Sequence, residues 1–155
     1  MTAITIKGIA KYCSDILQTD KCKNLPFHNL EHTKEVIDNV FLISDAIGIN
    51  SKEAKLIAIA ACFHDTGFSE TYQGHEEVSK RLADHYLSKA NCSQTEIEMV
   101  LSCIDATKMP QNPHDIYAEV ICDADLFHLG TTNFRHRNLL LRKEWELFCD
   151  IKISD

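Results

Sequence analysis

Leu56-Ile57-Ala58-Ile59-Ala60-Ala61-Cys62-Phe63 is the stretch that decides the fold, and it runs directly into His64-Asp65. These eight consecutive apolar residues offer no polar face, and a helix apolar all round is the buried centre of its domain. Ser51 is placed to cap this helix and Gly67 to stop it. The flanking segments must wrap round it, and their apolar spacing is helical as well. Before it, His32, Val36, Val40, Ile43 and Ile47 form one stripe over about residues 30–47, with Gly48 as the stop. Earlier still, Ile6, Ile9, Cys13, Ile16 and Leu17 mark one face of a first helix, and Pro26 holds a loop between the two. After it come helices over about residues 75–89, then one opened by Ser93-Gln94-Thr95-Glu96, which has capping-box spacing. Pro110 and Pro113 bound a loop. Helices over about 116–129, stopped by Gly130, and from 133 to the C-terminus complete the series. The expectation is one all-α domain over residues 1–155, a helical bundle of about seven helices.

Composition agrees. The chain has 155 residues, 45% apolar and 25% charged, enough for one sizeable core, and its five Gly and three Pro are too few for a turn-rich β fold. A formal charge of −7 repels a phosphate backbone, so no long nucleic acid is expected as partner, while a small phosphorylated molecule remains compatible. Seven cysteines, an odd number with no C-x-x-C pair, fall largely on apolar helix positions and read as reduced thiols of a cytoplasmic protein. No secretory signal is evident, and no run approaches the roughly 18–20 apolar residues of a membrane span. The last helix reaches Asp155 without a stop signal, and the sequence leaves the oligomeric state open.

The informative residues are polar ones on packing faces. His64 and Asp65 close the most apolar helix, and a buried carboxylate costs several kcal/mol unless it is paired or metal-bound. His32 shares the inward stripe of its helix. Asp125 follows Ile121 by one turn in a third apolar helix, and its rival Asp123 lies on another face. Two imidazoles and two carboxylates brought inward suit a divalent ion, with Mn, Mg, Zn, Fe and Ni not distinguished by the ligand types. A carboxylate such as Asp65 can also bridge to a second ion.

His32, then His64-Asp65, then Asp125 resembles the H…HD…D signature of the HD superfamily of metal-dependent phosphohydrolases, a resemblance covering about residues 27–130. Residues 27–33, FHNLEHT, are similar to the H-N-x-x-H stretch of cyclic-nucleotide phosphodiesterases. By that resemblance the fold is an HD-type bundle, the metal ligands are His32, His64, Asp65 and Asp125, and His28 is the general acid. His75 is implied as a substrate-binding or second-metal residue. A further His expected near residues 103–110, CIDATKMP, is missing, so one firmly bound ion is expected, any second one resting on Asp65 and water. The same gap counts against a di-iron HD oxygenase. The implied activity is hydrolysis of a phosphoester or phosphoanhydride in a small molecule, a nucleotide by preference. A non-catalytic, metal-retaining HD module that binds a nucleotide is the alternative. His85 and the basic group Arg135, Arg137, Arg142 and Lys143 read as solvated helix surface, with phosphate recognition by that basic group or by Lys108 the lesser alternative.

Overall fold

The structure, a computed structural model, describes residues 4–149. It contains α1 (Ile6–Leu17), α2 (Leu30–Ile47), α3 (Ser51–Phe63), α4 (His75–Lys89), α5 (Gln94–Ala106), α6 (Ile116–Asp125) and α7 (Phe134–Phe148). Two 3-10 turns, Thr66–Ser69 and Phe127–Gly130, follow α3 and α6, and no strand occurs among the described residues. The expected run of the last helix from 150 to 155 lies outside them.

α3 is the centre, as its composition demands. It packs against α1, α2, α5 and α6, and everything from Ile57 to Phe63 is buried. Ala58, Ala60 and Ala61 let the neighbouring helices approach closely, while Ile57 and Phe63 supply the bulk. Each such large side chain contributes roughly 1.5–3 kcal/mol relative to its exposed state. On α2 the inward stripe is His32, Val36, Val40 and Ser44, a four-residue period, so the expected Ile47 ends half exposed. All seven cysteines are free, five of them buried in helix or loop packing. No helix among the described residues is long and apolar enough to cross a membrane.

Several boundaries differ from the sequence expectation. Asn50, not Ser51, caps α3 by accepting from the Glu53 N–H at 2.9 Å, so Ser51 becomes the first helical residue. α6 stops at Asp125 rather than near residue 129, because the chain tightens there into the 3-10 turn that Gly130 closes. Gly67 is not the stop of α3, which already ends at Phe63. Its lack of a side chain serves packing instead: a Cβ at Gly67 would lie 1.8 Å from the His75 carbonyl oxygen. Ser79 then locks the approach, accepting from the Gly67 N–H at 2.8 Å and donating to the His64 carbonyl at 2.8 Å.

Gly67→Ala is therefore expected to lower stability by about 1–3 kcal/mol, the ordinary range for overpacking. The urea midpoint of the metal-free protein reads the effect. An unchanged midpoint would mean that the first turn of α4 gives way without cost.

Candidate metal centre

Local chain chemistry brings three elements to one point. Asn29 caps α2, accepting from the His32 N–H at 3.2 Å, while its amide donates to the carbonyls of Leu25 and Pro26. This fixes the loop ahead of the helix and aims His32 from the first turn. His64 is the C-cap of α3, and its Nδ1 lies 2.7 Å from the Ala61 carbonyl oxygen. A carbonyl only accepts, so Nδ1 carries the proton and Nε2 is left to face the cluster. Asp125 closes α6.

The Nε2 atoms of His32 and His64 stand 2.9 and 3.3 Å from Asp125 Oδ1. One donor atom from each of His32, His64 and Asp125 lies within 4.8 Å of the others. Asp65 adjoins this trio, with Oδ2 3.1 Å from His64 Nε2 and 3.8 Å from His32 Nε2. Its other oxygen is 3.3 Å from His75 Nε2, so Asp65 spans the trio and a fourth ring. Asp123, the rival of Asp125, is exposed.

The donor set fits a divalent ion. His64 Nε2 and Asp65 Oδ2 are both buried and neither makes a hydrogen bond, although they are close neighbours. Two buried polar atoms that converge without bonding each other are costly unless a third group lies between them. Burial alone would push both carboxyl groups up. The imidazoles outweigh it, His64 and His28 for Asp65, His32 and His64 for Asp125, and hold both well below the usual carboxylate range.

His28 stands beside the cluster, its ring centroid 5.7 Å from that of His32 and 6.4 Å from that of His75. Its Nδ1 lies 2.6 Å from Glu144 Oε2, and Glu144, on α7, is fully buried. Burial opposes charge on His28, but Asp65, Glu144 and Asp125 together raise its pKa above the ordinary imidazole value. His75 stacks on Phe68 at 3.7 Å between ring centroids, which sets the angle at which it meets Asp65.

Two residues of α7 enter the site unforeseen. Glu144 is one. The other is Arg137, expected on a solvated face but buried, with its guanidinium over the Phe27 ring and Nη2 3.4 Å from His32 Nδ1 and 3.3 Å from Glu35. The two are seven residues apart, two helical turns, so they share one face of α7. Lys108, His85, His114 and His136 are exposed.

The family model that matches the chain is that of the HD domain, over residues 29–130, about two thirds of its length. No curated protein and no solved structure matches it. HD domains bind divalent metals, and the helices that carry His32, His64 and Asp125 all fall inside the matched segment. On that match, and with a donor cluster suited to such an ion at its centre, the chain belongs to the HD domain family of metal-dependent phosphohydrolases.

Proposed function

We propose that this protein hydrolyses a phosphoester or phosphoanhydride bond of a small molecule, with nucleotides the first substrates to test. The observation that carries the reading is a histidine held at 2.6 Å by a buried carboxylate, directly beside a cluster that could hold a divalent ion. In this reading His32, His64, Asp65 and Asp125 hold one ion, and His75 contacts the substrate or a second ion. Such an ion supplies positive charge that polarises a phosphoryl oxygen and acidifies water. The chain's own residues do the rest. Glu144 accepts from Nδ1–H of His28 and fixes the ring. The other ring nitrogen, Nε2, carries the proton given to the departing oxygen. Phe27 and Phe68 flank the His28 ring with centroids 4.9 Å away, limiting its rotation. A module that only bound a nucleotide would have no use for this oriented acid, which is why hydrolysis is preferred over the binding reading.

The Glu144 contact makes its own prediction. A general acid works only while protonated, so activity falls as pH rises through its pKa. Glu144→Gln keeps an acceptor but removes the charge that helps raise the His28 pKa, so the alkaline limb of the rate profile moves to lower pH. A hydrogen bond to a charged group contributes roughly 1.5–3 kcal/mol, so turnover falls by about 10–100-fold on the alkaline side. A pH–kcat profile that keeps its alkaline limb in place would remove Glu144 from this role.

The function itself is tested by metal analysis of the purified protein together with hydrolysis of bis-p-nitrophenyl phosphate and a nucleotide panel. About one divalent ion per chain and cleavage of at least one phosphoester support the proposal. Bound metal with no cleavage under any added divalent ion would favour the binding module, and absence of metal binding would remove the reading.

A further inference from the structure

Asp125 divides its two oxygens between two tasks. Oδ1 meets the two imidazoles, while Oδ2 accepts a hydrogen bond from Gln111 Nε2 at 3.2 Å. Gln111 comes from the loop between α5 and α6, outside every helix, and is half-buried against the site. That loop is anchored at its far end by Asp115, which caps α6 by accepting from the Ala118 N–H at 2.8 Å.

We propose that Gln111 is a positioning residue for metal binding: it holds Asp125 so that only Oδ1 is presented to the ion. The inference rests on the metal-centre reading above and adds to it a residue from a loop that supplies no ligand. Asp125 needs such a hold. It is the last residue of α6, and the two imidazoles meet only its Oδ1, so Gln111 is what fixes the tilt of the carboxylate at Oδ2. Partners of this kind, bonded to a ligand rather than to the ion, keep ligands oriented, and losing one typically weakens metal binding by about 10–100-fold.

The residue type matters as well as the contact. An amide donates without carrying charge, so Asp125 keeps its full negative charge for the ion. A lysine or arginine at this position would hold Oδ2 equally well but would bring a second cation to within a few ångströms of the metal. An amide is long enough to reach from the loop and orients a carboxylate without neutralising it.

The test compares wild type with Gln111→Met and Gln111→Ala. Methionine matches the length and bulk of glutamine but has no donor, so it separates hydrogen bonding from packing. Mn2+ affinity is measured by competition with a chromophoric chelator, and the unfolding midpoint is measured on the metal-free protein. The expected result is a loss of affinity of about 10–100-fold in both variants with the midpoint of the methionine variant unchanged. Wild-type affinity in the methionine variant would overturn the proposal, because filling the space would then suffice. A joint fall of affinity and midpoint in the methionine variant would overturn it too, marking Gln111 as a fold residue. If wild type itself binds no Mn2+, the metal-centre reading fails and this inference with it, an outcome distinct from both others.

Discussion

His28→Ala is expected to lower turnover by about 10²–10⁴-fold on a nucleotide substrate, the usual contribution of a general acid, while metal content stays at the wild-type level. The reason lies in what His28 touches. Its Nδ1 is committed to Glu144, and its ring stands apart from the trio whose donor atoms converge within 4.8 Å. In the proposed reading it contributes a proton and not a ligand bond. The proton's value depends on the leaving group. A nucleoside oxygen departs as a strongly basic alkoxide unless it is protonated, whereas p-nitrophenolate is stable enough to leave unaided. The loss should accordingly be large for the nucleotide and much smaller for a p-nitrophenyl ester. Equal losses on both substrates would mean that His28 positions the phosphoryl group instead, and loss of metal would mean that it is a ligand.

The parts of this site that could be read from sequence are those set by local periodicity. A helix repeats every 3.6 residues, so an imidazole four positions before Val36 must share its face, and the burial of His32 follows from the burial of Val36 and Val40. The eight apolar residues of α3 likewise fix the depth at which His64 and Asp65 emerge. Glu144 was hidden for the opposite reason. Its partner His28 is 116 positions away, and nothing in a helix with Arg, Lys and Glu on several faces says which charge turns inward. Arg137 is the same case, compounded by the habit of reading a basic run as solvent surface. It is buried because its guanidinium finds Phe27, His32 and Glu35 together, on the first turns of α2 and the loop before it, some hundred residues away in sequence. Gly67 was legible as a special residue but not for the right cause. A glycine just after a helix usually marks a left-handed stop, and only the tertiary approach of His75 reveals that space was the constraint.

Asp65→Ala should abolish both bound metal and hydrolysis, the largest effect expected of any single change. Among the described residues Asp65 is the carboxylate that faces three imidazoles, with oxygens 3.1 Å from His64, 3.8 Å from His32 and 3.3 Å from His75. Without it His32 and His64 keep Asp125 as their carboxylate neighbour and His75 keeps Glu76, and a divalent ion loses one of its two proposed carboxylate ligands. The metal-free protein should feel the change as well. Because the Asp65 carboxyl is held below its ordinary range, its contribution to stability is present above the unfolded value of about 3.9 and is lost as pH falls through the lower folded value. At neutral pH that contribution is in force. Breaking a buried ion pair costs about 3–5 kcal/mol, a ceiling here, because the imidazoles left behind can shed protons and limit the penalty. Asp123→Ala, which removes an exposed carboxylate from the same helix as Asp125, should change neither metal content nor stability. The comparison is read by metal analysis after exhaustive dialysis and by urea unfolding of the metal-free forms. An Asp65→Ala protein that kept a full equivalent of metal would confine the ion to His32, His64 and Asp125. Asp65 would then serve the His75 side of the site, orienting a substrate-facing ring rather than holding the ion.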